Sequence, residues 1–171
     1  MIDFDIVIPN GNEKELLKEA KKLGVKIYFL YEKKSKETVK PYILVNKKDK
    51  DSKFLFCTPE RKNFENKKTD FIYGFETLEK KEHYHYRKSG LDQVLCKLAK
   101  EKDITIVFDF SKLYSKNKEQ VLGRMMQNAR LCKKYGVKTV VFSFAKNPKR
   151  IQNPSDLDAF SRVIGLEKYK Y

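Results

Sequence analysis

Both histidines of the chain fall in one short stretch, His83-Tyr84-His85. On a strand, residues two apart project to the same side, so the two imidazoles could share a divalent cation. Two ligands are too few for a reactive centre. A catalytic zinc takes three protein ligands and keeps one position open, and a two-metal phosphoesterase needs more, including bridging carboxylates. There is no third histidine, and Asp92, Asp109 and Cys96 would have to supply the rest from separate elements. The flanking Tyr84 and Tyr86 and the Lys/Glu-rich surroundings suit an exposed pair that faces solvent or RNA. No metal site is expected.

Other catalytic patterns are no stronger. Ser89, Ser111 and Ser143 lack a GxSxG setting, and no HExxH, P-loop or GxGxxG occurs. Asp156 and Asp158 open a helical segment, where a carboxylate favours the helix dipole. The three cysteines, Cys57, Cys96 and Cys132, are widely spaced and fit buried thiols in a reducing compartment rather than a disulfide framework or zinc knuckle. No catalytic residue is assigned to the chain.

Charge is the more informative signal. Lys and Arg total 38 against 23 Asp and Glu, a formal net charge of +15. Such a field attracts a polyanion, with RNA foremost. A lysine-rich surface also arises from thermophily or biased base composition, and most single lysines are simply solvated. The best RNA candidates are the cations near loops and helix starts: Arg87, Lys88, Lys102, Lys138, Lys146, Lys149 and Arg150. Lys146 to Arg150 lie between a strand end and a helix start, a natural phosphate position, and arginine can grip phosphate with two hydrogen bonds.

The elements that must position these residues alternate. A length of 171 residues predicts one domain spanning 1–171. Strands are expected at Asp5–Ile8, Val25–Tyr31, Tyr42–Val45, Phe54–Cys57, Asp70–Phe75, Ile104–Phe110 and Lys138–Phe144. Helices are expected at Glu13–Leu23 with Leu16, Leu17, Ala20 and Leu23 inward, and at Asn117–Tyr135 with Val121, Leu122, Met125, Ala129 and Cys132 inward. In the second, Arg124, Arg130 and Lys134 fall on the other faces. A third helix is expected behind an N-cap at Ser89, with Leu91, Val94, Leu95 and Leu98 as its apolar face, and a fourth at Ser155–Ile164 behind Asn153-Pro154. The charged runs around residues 32–68 read as solvated loops. Alternating apolar strands and helices imply a parallel sheet with right-handed crossovers. Neither a signal peptide nor a membrane span is read, so the expected location is the cytoplasm.

Several motifs resemble one family. They are Arg87-Lys88-Ser89-Gly90-Leu91-Asp92-Gln93-Val94-Leu95, an apolar strand, a helix ending in Lys-Lys-Tyr, Phe142-Ser143-Phe144-Ala145, and Pro154-Ser155-Asp156-Leu157 with Gly165 behind it. Their order and spacing, from Arg87 to Glu167, are similar to archaeal ribonuclease P protein component 3. That family is the counterpart of the thirty-kilodalton subunit of the eukaryotic enzyme. The resemblance implies an α/β, TIM-like (β/α) barrel of the polymerase-and-histidinol-phosphatase type, incomplete or shortened at its C-terminal end. It also implies a subunit that supports removal of the 5′ leader from precursor tRNA. The catalytic Mg2+ would sit in the RNA, and no cofactor on this chain. Implied partners are ribonuclease P RNA, precursor tRNA, a Pop5-type subunit and the other ribonuclease P proteins. The related phosphoesterases carry HxH after their first strand, where this chain has Pro9-Asn10-Gly11, and Gln93 stands where the family commonly has histidine. Two alternative functions stay open: a metal-dependent phosphoesterase on the same barrel, and a general RNA-binding scaffold.

Overall fold

The computed structural model describes residues 3–33, 40–44, 54–77 and 89–166. The chain opens as a parallel β-α-β unit: β1 (Phe4–Val7), α1 (Glu13–Leu23) and β2 (Lys26–Lys33), with Phe4 opposite Lys26 and Val7 opposite Phe29. β3 (Lys40–Leu44) returns antiparallel to β2. Then follow β4 (Phe56–Cys57), α2 (Arg61–Glu65), β5 (Phe71–Tyr73), α3 (Gln93–Glu101), β6 (Thr105–Asp109), α4 (Lys118–Tyr135), β7 (Thr139–Phe142) and α5 (Pro154–Val163). Strands β4-β5-β6-β7 are all parallel, in that order.

Hydrogen bonding thus defines two sheets, one of three strands and one of four. One seam joins them. Val7 forms an isolated parallel bridge with Ala145, and the Ile8 amide donates to the Ala145 carbonyl at 3.0 Å. On the far side β3 runs beside β4 without a ladder among the described residues. The expected parallel α/β architecture is present, but its described strands do not close into one continuous hydrogen-bonded barrel.

Strand alternation sorts the side chains into layers. Ile6, Leu30, Phe56, Val107, Val140, Phe142 and Phe144 meet in an interior between the two sheets. Aromatic rings fill it: Phe56 stacks on Phe71 at 4.5 Å, Tyr73 meets Phe144 at 5.4 Å, and Phe4 stacks on Phe142 at 5.6 Å. The opposite faces carry helices. Val7 and Ile27 pack on Leu16 and Ala20 of α1, while Ile72, Ile106, Phe108 and Val141 pack with Cys96, Ala99, Met125, Ala129 and Leu157 from α3, α4 and α5. Burial on both faces explains why β6 and β7 are continuous apolar runs.

The helix faces differ in detail from the expectations. In α1 only Leu16 and Ala20 are buried; Leu17 lies about 100° round the helix from Leu16, and Leu23 sits on the last turn, so both are exposed. The N-cap of α3 is Asp92, whose carboxylate accepts from the Leu95 amide at 2.8 Å, and Ser89 lies buried before the helix. Leu91 is buried and Leu95 and Leu98 pack partly buried against the core as expected, but Cys96 and Ala99 are the fully buried positions of the helix and Val94 is exposed. Within the charged run at residues 60–68, α2 buries Asn63 and Phe64, so that stretch is a short amphipathic turn of helix and not only a solvated loop. The Asn153 cap and Pro154 start of α5 stand as expected, with the Asn153 side chain accepting from the Ser155 amide at 3.0 Å.

Candidate nucleic-acid interface

Three of the candidate cations come together where β7 ends. Beyond Phe142 the chain turns at Phe144, whose φ of 44° is unusual for a bulky residue. Packing against Phe56, Tyr73 and Phe142 holds it there. The turn brings Ala145 to β1, and Asn12 Nδ2 donates to the Lys146 carbonyl at 2.9 Å. A 3-10 turn, Pro148–Arg150, follows, capped by Asn147 through the Lys149 amide at 3.0 Å. The backbone is therefore pinned while the side chains of Lys146, Lys149 and Arg150 are exposed. None of the three is in an ion pair among the described residues.

Arg150 makes one defined contact. Its Cζ lies 4.3 Å from the ring centroid of Tyr114. Tyr114 ends the 3-10 turn Phe110–Tyr114 that follows β6, and it is 45% exposed. Gln152 Nε2 donates to the Tyr114 hydroxyl at 3.2 Å and to the Arg150 carbonyl at 3.3 Å, which ties the loops after β6 and β7 together. The exposed Lys116 and Lys118 lead from that first loop into α4. In parallel α/β folds the loops at the C-terminal ends of the strands are the usual place for ligands.

Lys102 and Lys138 lie elsewhere. Lys102 caps the C-terminus of α3, and Lys138 immediately precedes β7, so both sit at the N-terminal ends of the parallel strands. Both are in ion pairs: Lys138 Nζ with Asp103 Oδ2 at 2.8 Å and Lys102 Nζ with Glu101 Oε1 at 3.6 Å. The candidate cations thus divide between opposite ends of the strands. Arg87 and Lys88, together with His83 and His85, lie outside the described residues.

A buried polar cluster behind this end was not anticipated. Glu76 follows β5, and neither of its carboxyl oxygens has a hydrogen-bond partner among the described residues. Burial, with the Asp109 carboxylate as a smaller cause, pushes its pKa up to about 8; the Lys112 charge and nearby backbone amides oppose the rise. Asp109, at the end of β6, accepts from the Ser111 amide at 2.9 Å and hydroxyl at 2.6 Å, with Lys112 Nζ at 3.5 Å. Burial raises its pKa as well. Arg124 and Asn128 belong to the buried stripe of α4, contrary to the expectation that Arg124 faces away. Arg124 Nη1 donates to the Glu76 carbonyl at 3.0 Å, and Asn128 Nδ2 to the Ser89 carbonyl at 3.1 Å. These two side chains satisfy backbone carbonyls that no ladder reaches. The signal in the sequence was a polar residue at each of two positions, 124 and 128, on the Val121–Met125–Ala129–Cys132 stripe. Among the described residues no group of three or more His, Cys, Asp or Glu is placed to hold a metal ion.

No family model matches the chain. Over 81 residues, 46% of the chain, it is 35% identical to ribonuclease P protein component 3 of Methanocaldococcus jannaschii. The resemblance to component 3 holds. The chain spans only about a third of that relative, since the match covers 35% of its length. In shape the likeness extends further. One chain of the cryo-EM structure of archaeal ribonuclease P with mature tRNA superposes with a TM-score of 0.61, covering 96% of this chain and 75% of that one. At 21% identity that superposition establishes a shared fold.

Proposed function

We propose that this chain is a protein subunit of ribonuclease P, supporting endonucleolytic removal of the 5′ leader from precursor tRNA. The observation that carries the reading is the 35% identity to component 3 over 81 residues, and the fold shared with a chain of an archaeal ribonuclease P structure is consistent with it. The chemistry is assigned to Mg2+ held by the RNA subunit, leaving a 5′-phosphomonoester, and no bond-breaking step is assigned to this chain. Its part is to neutralise phosphate and to hold RNA and protein partners in register, for which a net charge of +15 is suited. The partners are ribonuclease P RNA, precursor tRNA and a Pop5-type subunit, in the cytoplasm.

The pinned loop carrying Lys146, Lys149 and Arg150 is the favoured RNA contact, because its cations are exposed and have no carboxylate partner among the described residues. A cation already paired must first give up its partner, so Lys102 and Lys138 rank lower. Purification of the tagged chain from its own cells tests the reading. Recovery of ribonuclease P RNA or a Pop5-type protein, with leader-removing activity in the eluate, is the expected result. Recovery of unrelated RNAs alone favours the general scaffold, and metal-dependent activity of the isolated chain on a simple phosphoester favours the phosphoesterase.

A further inference from the structure

Resting on that reading, we infer that Arg150 and Tyr114 together form a stacking platform for an unpaired nucleobase of the RNA, with the neighbouring lysines holding its phosphates. Four observations converge on it. A guanidinium lies 4.3 Å from a ring centroid, and that ring is 45% exposed. Gln152 holds the ring through its hydroxyl at 3.2 Å and the Arg150 backbone carbonyl with the same nitrogen at 3.3 Å, so the ring and the backbone that carries the guanidinium are positioned before any ligand arrives. Phe110 meets the Tyr114 ring edge-on at 5.9 Å and braces it from the core side. Finally, Lys146 and Lys149 shortly precede Arg150 in the chain and Lys116 and Lys118 shortly follow Tyr114, all four exposed and outside the ion pairs among the described residues.

Each component has a physical counterpart in RNA. Bases splayed out of a helix stack on tyrosine rings and arginine planes, whereas bases inside a duplex already stack on one another. The platform therefore selects unpaired nucleotides, and the lysines contribute the sequence-independent, salt-sensitive part of the binding. An acidic protein segment would also be drawn to the cations, but it would make no use of an exposed ring set under a guanidinium.

Three probes separate the base from its phosphates: a short single-stranded oligoadenylate, the same strand paired with oligouridylate, and an abasic strand of equal length. The full chain is titrated with each at fixed salt, beside Arg150→Lys and Tyr114→Ala. Both side chains are exposed, and unchanged thermal melting establishes that the variants fold. The wild type is expected to prefer the single strand over the abasic strand by roughly five-fold or more. Arg150→Lys keeps the charge and loses the planar group, so it is expected to bind the abasic strand as before and to lose the preference. Tyr114→Ala is expected to do the same. Equal binding of the three probes by the wild type, or a preference that survives both substitutions, overturns the platform. If the wild type then still binds ribonuclease P RNA, only the platform has failed; if it binds neither that RNA nor any probe, the subunit reading fails with it.

Discussion

Asp5 of β1 and Ser143, the residue that follows β7, are joined by a hydrogen bond: Asp5 Oδ1 accepts from the Ser143 amide at 2.8 Å, and from the Ile6 amide at 2.8 Å as well. The carboxyl thus does at this seam what a ladder does elsewhere, 138 residues apart in sequence. It stands beside the isolated bridge between Val7 and Ala145, and that seam leads into the loop that carries Lys146, Lys149 and Arg150.

That carboxyl makes stability depend on pH. Burial pushes the Asp5 pKa up to about 6, against the hydrogen bonds from Ser143, Ile6 and Gln152, which favour the ionised form. A raised carboxyl pKa means that the folded state holds the proton more tightly than the unfolded chain. The Asp5 contribution is therefore full below about pH 4 and is lost as pH rises to about 6, by on the order of 3 kcal/mol. Asp5→Asn is expected to flatten that part of a urea-unfolding series measured from pH 4 to 7. Asp5→Ala, which leaves two amides unpaired, is expected to cost about 1–3 kcal/mol at pH 4 and progressively less as pH rises to 7.

Glu76 has the same sign over a higher window. With its pKa pushed to about 8 by burial, its contribution is full below about pH 4.5 and falls as pH rises through 8. Glu76→Gln keeps the shape and removes the titration. It is expected to be more stable than the wild type at pH 8 and close to it at pH 5, as read from urea midpoints.

The two residues at the start of α3 are expected to behave oppositely. Asp92 accepts the Leu95 amide at 2.8 Å, so Asp92→Ala should cost about 1 kcal/mol. Ser89 has a buried hydroxyl with no partner among the described residues, so Ser89→Ala should be neutral or slightly stabilising. Thermal midpoints of the two variants check the assignment of the cap.

RNA affinity should distinguish the exposed Arg150 after β7 from the paired Lys138 before it. Arg87→Ala combined with Arg150→Ala is expected to weaken binding to ribonuclease P RNA and slow reconstituted processing without unfolding the chain. Each lost phosphate contact lowers the slope of log affinity against log salt by about one. Lys138→Ala, which removes a cation already paired with Asp103, is expected to change the slope less. Unchanged salt-dependent binding in the double variant would refute the assignment of those two arginines.

Much of this was already legible from residue order. Apolar β-branched runs flanked by helical periodicity locate β1, β2, β6, β7, α1, α4 and α5 to within a residue or two, because burial on both strand faces leaves one composition available. The charge, the motif order from Arg87 to Glu167 and the basic loop after β7 were legible for the same reason: each is local. Three things belong to the tertiary structure. It placed Arg124 and Asn128 inward, because the carbonyls of Glu76 and Ser89 needed donors that periodicity does not count. It moved the α3 cap from Ser89 to Asp92, since either residue fits the local pattern and only Asp92 meets the helix amides. It also separated Lys102 and Lys138 from Lys146, Lys149 and Arg150 and set Tyr114 beneath Arg150. Which end of a strand a cation occupies, and which ring it meets, follow from the crossovers between strands; no window of neighbouring residues contains that information.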